Sequence, residues 1–261
     1  MGAEAIVTLN RRTFLKLSVG GALALAVPGS RLASAQAHGQ PQARVIRSGP
    51  RDVPQVCLTY DDLWDEAYTL LIAERFARDG LSVTFFPTGS AVQANIERPT
   101  AGHEDLYRRV LDMGHEFGCH TFSHPDITDL TAHRLVWWEI QPWLDAMAQA
   151  LGEPYTPVAF RPPFGIVTDA LFHAVNQAGG IPIVLWSADL RDTLCSPANC
   201  AAAILPVFER QLRGGEIFLQ HTVRASYEVL DAQLALLQDA ELTPVPVSEM
   251  LAHIVAASAA G

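Results

Sequence analysis

The sequence predicts an α/β fold of parallel strands closed into a barrel, within one domain. Three observations lead there. Seven strand-like stretches alternate with helical ones, the pattern of a parallel sheet or barrel. Polar residues gather at or just past the C-terminal ends of separate strands: Asp61-Asp62, His120, Arg161, Asp189 and His221. In a (β/α) barrel that rim collects the functional side chains. Finally, 224 of the 261 residues follow an N-terminal targeting segment, enough for one full core.

The elements follow in order. Gln55 to Tyr60 reads as the first strand. Asp65 to Arg78 is helical, with Leu70, Leu71, Ile72 and Phe76 for a buried face and Gly80 as the stop. Leu81 to Phe86 is the second strand, rich in β-branched and aromatic residues. A helix over Glu104 to Met113 ends at Gly114, and His115 to His120 is the third strand. The longest helix spans Thr131 to Leu151, amphipathic through Leu135, Trp138, Ile140, Leu144 and Met147. Pro157 to Arg161 is the fourth strand, and Thr168 or Asp169 caps a helix to Gln177. Ile181 to Trp186 is the fifth strand, and Ala198 to Leu212 is a helix interrupted by Pro206. Glu216 to Gln220 is the sixth strand, Tyr227 to Asp239 a helix, Leu242 to Val247 the seventh strand, and Ser248 caps a last helix.

Residues 1–37 read as a targeting segment outside the fold. Asn10-Arg11-Arg12-Thr13-Phe14-Leu15-Lys16 is a twin-arginine pattern, an apolar run extends from Leu17 to Val27, and small residues offer cleavage after Ala35 or Ala37. The run is too short for an ordinary transmembrane helix, so stable membrane insertion is not expected after cleavage. The expected partner is the twin-arginine export machinery and the expected location is periplasmic or secreted. Residues 38–54 are polar and Pro-rich, a loose N-terminal arm, and 55–261 form the folded domain. The first 37 residues hold four basic side chains against one acidic, so removing them takes the formal charge from −10 to −13. The rest has no lysine and only scattered arginines, which argues against nucleic acid as a partner.

His120-Thr121-Phe122-Ser123-His124 carries two imidazoles four residues apart, a spacing that puts both on one face of a helical turn. Pro125 limits that turn. Leu58-Thr59-Tyr60-Asp61-Asp62 reads as a strand ending in two carboxylates. Two imidazoles and one carboxylate make a facial site for a divalent metal, with positions open for water and substrate. The second carboxylate is then free to act as a base. Zn²⁺ suits this donor set best, and Co²⁺ or Ni²⁺ fits the same ligands.

With Arg161-Pro162-Pro163-Phe164-Gly165, Trp186-Ser187-Ala188-Asp189-Leu190-Arg191-Asp192 and Gly215-Glu216-Ile217-Phe218-Leu219-Gln220-His221, these stretches form five motifs in order, and the chain resembles the polysaccharide deacetylases. The resemblance implies a distorted (β/α)₇ barrel and a metal-dependent amide hydrolase acting on an acetylated glycan. It implies that Asp62, His120 and His124 bind the metal, that Asp61 is the general base and that His221 is the general acid. Arg161 would pair with Asp61, and Asp189 would hold and tune His221. The backbone N–H of Phe164 would help stabilise the oxyanion. Leu219 would pack on the acetyl methyl, or else be plain core, and Trp186 would line the cleft.

Three positions depart from the family pattern. Leu63 stands where glycine is usual, and its side chain is expected to intrude beside the base and narrow the groove. Phe164 replaces a frequent tyrosine. Thr193 follows Asp192 in place of tryptophan and opens a cysteine-containing loop. In an oxidising compartment Cys195 and Cys200 can close a small disulfide loop; otherwise they are two free thiols. Cys57 and Cys119 read as core residues, as do most of Trp64, Trp137, Trp138 and Trp143.

Two other readings keep the same fold. One is a hydrolase of a small amide or imide. The other is a catalytically silent glycan-binding protein, which the complete set of base, acid and metal ligands argues against.

Overall fold

The computed structural model describes residues 43–196 and 198–260. The targeting segment expected over residues 1–37 lies outside the described residues.

In chain order the elements are β1 (Val45–Ile46), β2 (Gln55–Asp62), α1 (Glu66–Arg78), β3 (Thr84–Pro87), α2 (Gly89–Glu97), α3 (Leu106–Asp112) and β4 (Glu116–Phe117). A three-residue α4 (Ala132–Arg134) leads through a π-helical segment (Leu135–Ile140) into α5 (Gln141–Leu151). Then come α6 (Asp169–Gln177), β5 (Ile183–Val184), β6 (Ala188–Asp189), α7 (Cys200–Arg210), β7 (Ile217–His221), α8 (Arg224–Asp239), β8 (Thr243–Pro244) and α9 (Val247–Ala260).

All strand pairings are parallel. β2 is central, with β3 on one edge and β7 on the other; β4 extends the sheet beyond β3 and β6 extends it beyond β7. Phe160 links the β4 side of this sheet to β5, bridging to Cys119 on one side and Ile183 on the other. β8 joins β2 only at Gln55 and Val56, and β1 joins β5 only at two residues. These partial strands make the barrel a distorted (β/α)₇ type in which, among the described residues, only β2 runs for eight residues. β2 is buried on both faces, as a central parallel strand requires, and its end carries Asp61 and Asp62 to the rim.

The sequence pattern holds for most elements, with specific differences. Part of the expected loose arm is ordered: Val45–Ile46 is a strand, and the Ala43 N–H donates to Asn176 Oδ1 at 2.8 Å. The fourth predicted strand reduces to the bridge at Phe160, because prolines at 157, 162 and 163 interrupt its ladder. Helix α2 lies in a stretch the apolar periodicity did not mark, and it starts on a Thr88 side-chain cap. Ser248 sits inside α9 rather than capping it. Of the tryptophans, Trp143 is buried and donates to the Pro87 carbonyl at 2.7 Å, whereas Trp64, Trp137 and Trp138 are exposed. The π-helical segment explains the last two. Its wider turn carries Trp138 off the face of Leu135 and keeps Glu139 on it.

Candidate metal centre and active site

Asp61 and Asp62 end β2, beside the His221 end of β7 and the Pro87 end of β3. Asp62 and Leu63 both have positive φ, 72° and 62°, so the chain turns sharply at the rim. The Leu63 N–H bonds back to the Asp61 carbonyl at 3.0 Å. The turn sends the Leu63 side chain into the main apolar core, where it is 1% exposed. The expected intrusion beside Asp61 is therefore not found: the left-handed backbone points this side chain inward, and no groove wall is made from it.

His120 and His124 do not lie on a helical turn. Residues 120–124 form an irregular turn in which Thr121 (φ 62°) and His124 (φ 56°) are both left-handed. Pro125 disfavours a helical conformation at the residue before it. The turn still brings the rings together, with centroids 4.8 Å apart. His120 Nδ1 donates to the Arg161 carbonyl at 2.7 Å, which fixes the ring and leaves Nε2 facing Asp62. His120 Nε2 and His124 Nε2 stand 3.6 and 3.7 Å from Asp62 Oδ1.

This donor set fits a divalent cation. The three ligand atoms lie within 4.8 Å of one another. Asp62 Oδ1 is shut off from solvent and accepts no hydrogen bond. A buried carboxylate oxygen without a donor is costly, and a cation between it and two imidazole lone pairs removes that cost. Burial pushes the His120 pKa down, against the charges of Asp61 and Asp62, so the ring is held in the neutral form a metal needs.

Asp61 is buried and its oxygens have separate partners. Oδ1 accepts from Arg161 Nη1 at 2.7 Å, while Oδ2 is 3.6 Å from His120 Nε2, on the metal side. Arg161 is completely buried, and each of its three nitrogens donates: Nη1 also to Thr59 Oγ1, Nε to the Val184 carbonyl and Nη2 to the Leu185 carbonyl. Its guanidinium stacks 4.0 Å from the centre of the Phe86 ring, with Trp186 at 5.9 Å on another side. Gly118 makes room for this, because a Cβ there would lie 2.1 Å from the Phe86 ring. Half-buried Trp186 thus flanks Arg161.

His221 is held by Asp192 and not by Asp189. Asp192 Oδ1 accepts from His221 Nδ1 at 2.9 Å, and Oδ2 accepts from the His221 backbone N–H at 2.6 Å and from the Ser226 hydroxyl. Asp189 is exposed, and its Oδ1 is used by the Arg191 N–H at 2.8 Å. The cause is a left-handed residue: Arg191 (φ 52°) reverses the chain and brings Asp192 back beneath the imidazole. Burial opposes protonation of His221, but the hydrogen bond and charge of Asp192, with Asp61 and Asp62 behind it, raise its pKa to about 9.

Phe164 is left-handed (φ 59°) and exposed, and its ring meets that of His124 edge-on at 4.8 Å. Leu219 is buried in β7 between Thr59 and Asp189. Cys195 and Cys200 form a disulfide that closes the loop after Asp192, while Cys57 and Cys119 are buried thiols. Glu139 and Ser226 carried no motif in the sequence; both touch residues of the site, and only their fold-dependent contacts reveal them.

Comparison with known proteins agrees with this geometry. The sequence profile of the family described as polysaccharide deacetylase matches residues 48–181. A peptidoglycan-N-acetylglucosamine deacetylase, PgdA of Listeria monocytogenes, is 28% identical over 200 residues, 75% of this chain; the match spans 38% of that protein's length. The solved structure of the peptidoglycan deacetylase PdaC from Bacillus subtilis is similar with a TM-score of 0.66 and 26% identity, covering 80% of this chain and 96% of that one. A CE4 family pseudoenzyme from Bacillus anthracis shares the fold, with a TM-score of 0.70 at 21% identity, covering 79% of this chain and 68% of that one.

Proposed function

The chain belongs to the polysaccharide deacetylase family, and on that premise we propose that it is a metal-dependent hydrolase that removes N-acetyl groups from a glycan. The observation that carries this reading is the pairing of two differently prepared groups at one rim. Asp61 is pinned by Arg161 with one oxygen facing the metal site, and His221 is held protonated by Asp192. An acetamide needs both, since water must lose a proton and the leaving amine must gain one.

The residues that would hold the metal are Asp62, His120 and His124, and Zn²⁺ is the proposed ion. When bound, such an ion polarises the acetamide carbonyl and makes water more acidic. Asp61 takes the water proton on Oδ2, because Oδ1 is committed to Arg161. His221 gives its Nε2 proton to the departing nitrogen, because Nδ1 is committed to Asp192. The Phe164 N–H is assigned to the oxyanion, and Leu219 is assigned to the acetyl methyl. Complete acid, base and ligand sets favour an enzyme over a silent glycan-binding protein.

The proposed substrate is the N-acetylglucosamine of peptidoglycan or a chitooligosaccharide, following the relatives that PgdA and PdaC represent. Export by the twin-arginine route to the periplasm or beyond is supported by Asn10-Arg11-Arg12 and by the Cys195–Cys200 disulfide, which suits an oxidising compartment. The test is acetate release from chitooligosaccharides and peptidoglycan by chelator-stripped protein re-supplied with Zn²⁺ or Co²⁺. Acetate that needs metal and vanishes in Asp61→Asn is the expected result. Metal-independent release, or release that survives Asp61→Asn, would overturn the mechanism. Tight metal binding without acetate from either glycan would overturn the substrate assignment.

A further inference from the structure

The turn that carries both imidazoles is conformationally expensive. Thr121 is β-branched and left-handed, and His124 is left-handed as well. Such backbone conformations are strained and persist only where the surroundings impose them. Two elements do so from opposite sides. The start of α2 takes the carbonyls: Gly89 N–H donates to Thr121 O at 2.9 Å, and Ser90 N–H donates to Phe122 O at 2.8 Å. Gly89 allows this approach, because a Cβ there would lie 2.3 Å from the Phe122 ring. The His124 N–H donates to Thr121 Oγ1 at 3.1 Å within the turn, and the Phe122 and Ser123 N–H groups go to a single side chain outside it. Glu139 Oε2 accepts from Phe122 N–H at 3.0 Å and Ser123 N–H at 2.8 Å, and Oε1 accepts from the Ser123 hydroxyl at 2.8 Å.

Glu139 is 6% exposed and comes from the π-helical segment. Its three donors are neutral groups, all from the residues between His120 and His124. A buried carboxylate is a poor choice for a core position unless its acceptors are needed. The one irregular stretch of the longest helix presents it to the two free N–H groups of the strained turn. A segment of this kind, with i→i+5 bonding, is often found where a helix serves a site.

We infer that Glu139 is a positioning residue for the metal centre, holding the 121–124 turn in the conformation that aims His124 at Asp62. The inference rests on the reading of Asp62, His120 and His124 as metal ligands. Without the carboxylate, the Phe122 and Ser123 N–H groups lose their acceptor and the left-handed pair can relax, which swings His124 away while His120 stays anchored on the Arg161 carbonyl. One of three ligands is then lost from the pre-formed set.

The test is Zn²⁺ affinity of the metal-free protein, measured by competition with a chromophoric chelator, together with the visible spectrum of the Co²⁺ form. Glu139→Leu keeps the bulk but accepts nothing, and its Kd for Zn²⁺ should rise about 10–100-fold with an altered Co²⁺ spectrum. Glu139→Gln retains one oxygen for both N–H groups and should stay within about threefold of wild type, so the conservative variant rescues binding. Ser123→Ala removes one of the three bonds and should weaken binding about fivefold, and it serves the same purpose if Glu139→Leu does not fold. Wild-type affinity and spectrum in Glu139→Leu or, if that variant does not fold, in Ser123→Ala would overturn the inference while leaving the metal reading intact. A wild-type protein that binds no Zn²⁺ would overturn both.

Discussion

Asp192 grips His221 at two points, accepting from its ring Nδ1 at 2.9 Å and from its backbone N–H at 2.6 Å. The ring cannot rotate or change tautomer without breaking the first bond, so Nδ1 keeps its proton and Nε2 is left as the atom that gains and releases the transferable one. Replacing Asp192 by Asn removes the anionic partner and lets the ring present the wrong tautomer. We expect kcat for acetate release to fall about 100-fold or more in Asp192→Asn, and to change less than about twofold in Asp189→Asn. Steady-state kinetics on both variants check this, and the opposite ranking would reinstate Asp189.

The same pair predicts a pH dependence of stability. The folded pKa of His221, about 9, lies above its ordinary 6.5, so the fold favours the protonated ring. That stabilisation is complete below about pH 6.5 and disappears as the pH rises through about 9. Over that window metal-free protein should lose stability by at most about 1.4 kcal/mol per pH unit. Urea unfolding of chelator-stripped protein between pH 6 and 9.5 measures the slope. In Asp192→Asn the slope should largely vanish; an unchanged slope there would assign it to another group.

These residues also show what the sequence alone can and cannot reveal. Asp61, Asp62, His120, Arg161 and His221 were legible because each lies at or just past the end of a strand or an isolated bridge, and those positions map onto the barrel rim. Asp192 was misread as Asp189 because the choice depends on Arg191 being left-handed, and no composition signal marks that residue. The helix over residues 132–151 was legible as a helix, but its face was not. A period of 3.6 places Trp138 inward, whereas the π-helical turn exposes it and keeps Glu139 inside. The His120–His124 spacing led to the expectation that the two rings meet, and they do, but on an irregular turn and not a helical one, since several turn geometries bring two rings four residues apart together.

Arg161 and Asp61 form a buried pair whose partners cannot be removed singly. Arg161 is 0% exposed and Asp61 2%, and the guanidinium also ties β2 to the Val184 and Leu185 carbonyls. Arg161→Met leaves the carboxylate uncompensated and should destabilise the fold by about 3–5 kcal/mol as well as abolish activity. Adding Asp61→Asn should restore much of the stability and none of the activity. Denaturant unfolding of the single and double variants gives the coupling; strict additivity would mean that the pair does not act as a unit.

Leu63 supplies the last prediction, because its two effects oppose each other. The position has φ 62°, which glycine adopts freely, so Leu63→Gly relieves backbone strain of about 1 kcal/mol. Yet the side chain is 1% exposed within the main core, and deleting it loses about 2–5 kcal/mol of burial and packing. Packing outweighs strain, so Leu63→Gly should be less stable by about 1–4 kcal/mol, a drop in Tm of several degrees for a domain of this size. Because the side chain points into the core, the ratio of acetate release from short and long chitooligosaccharides should not move. A variant of unchanged Tm with a shifted length preference would place this side chain in the groove after all.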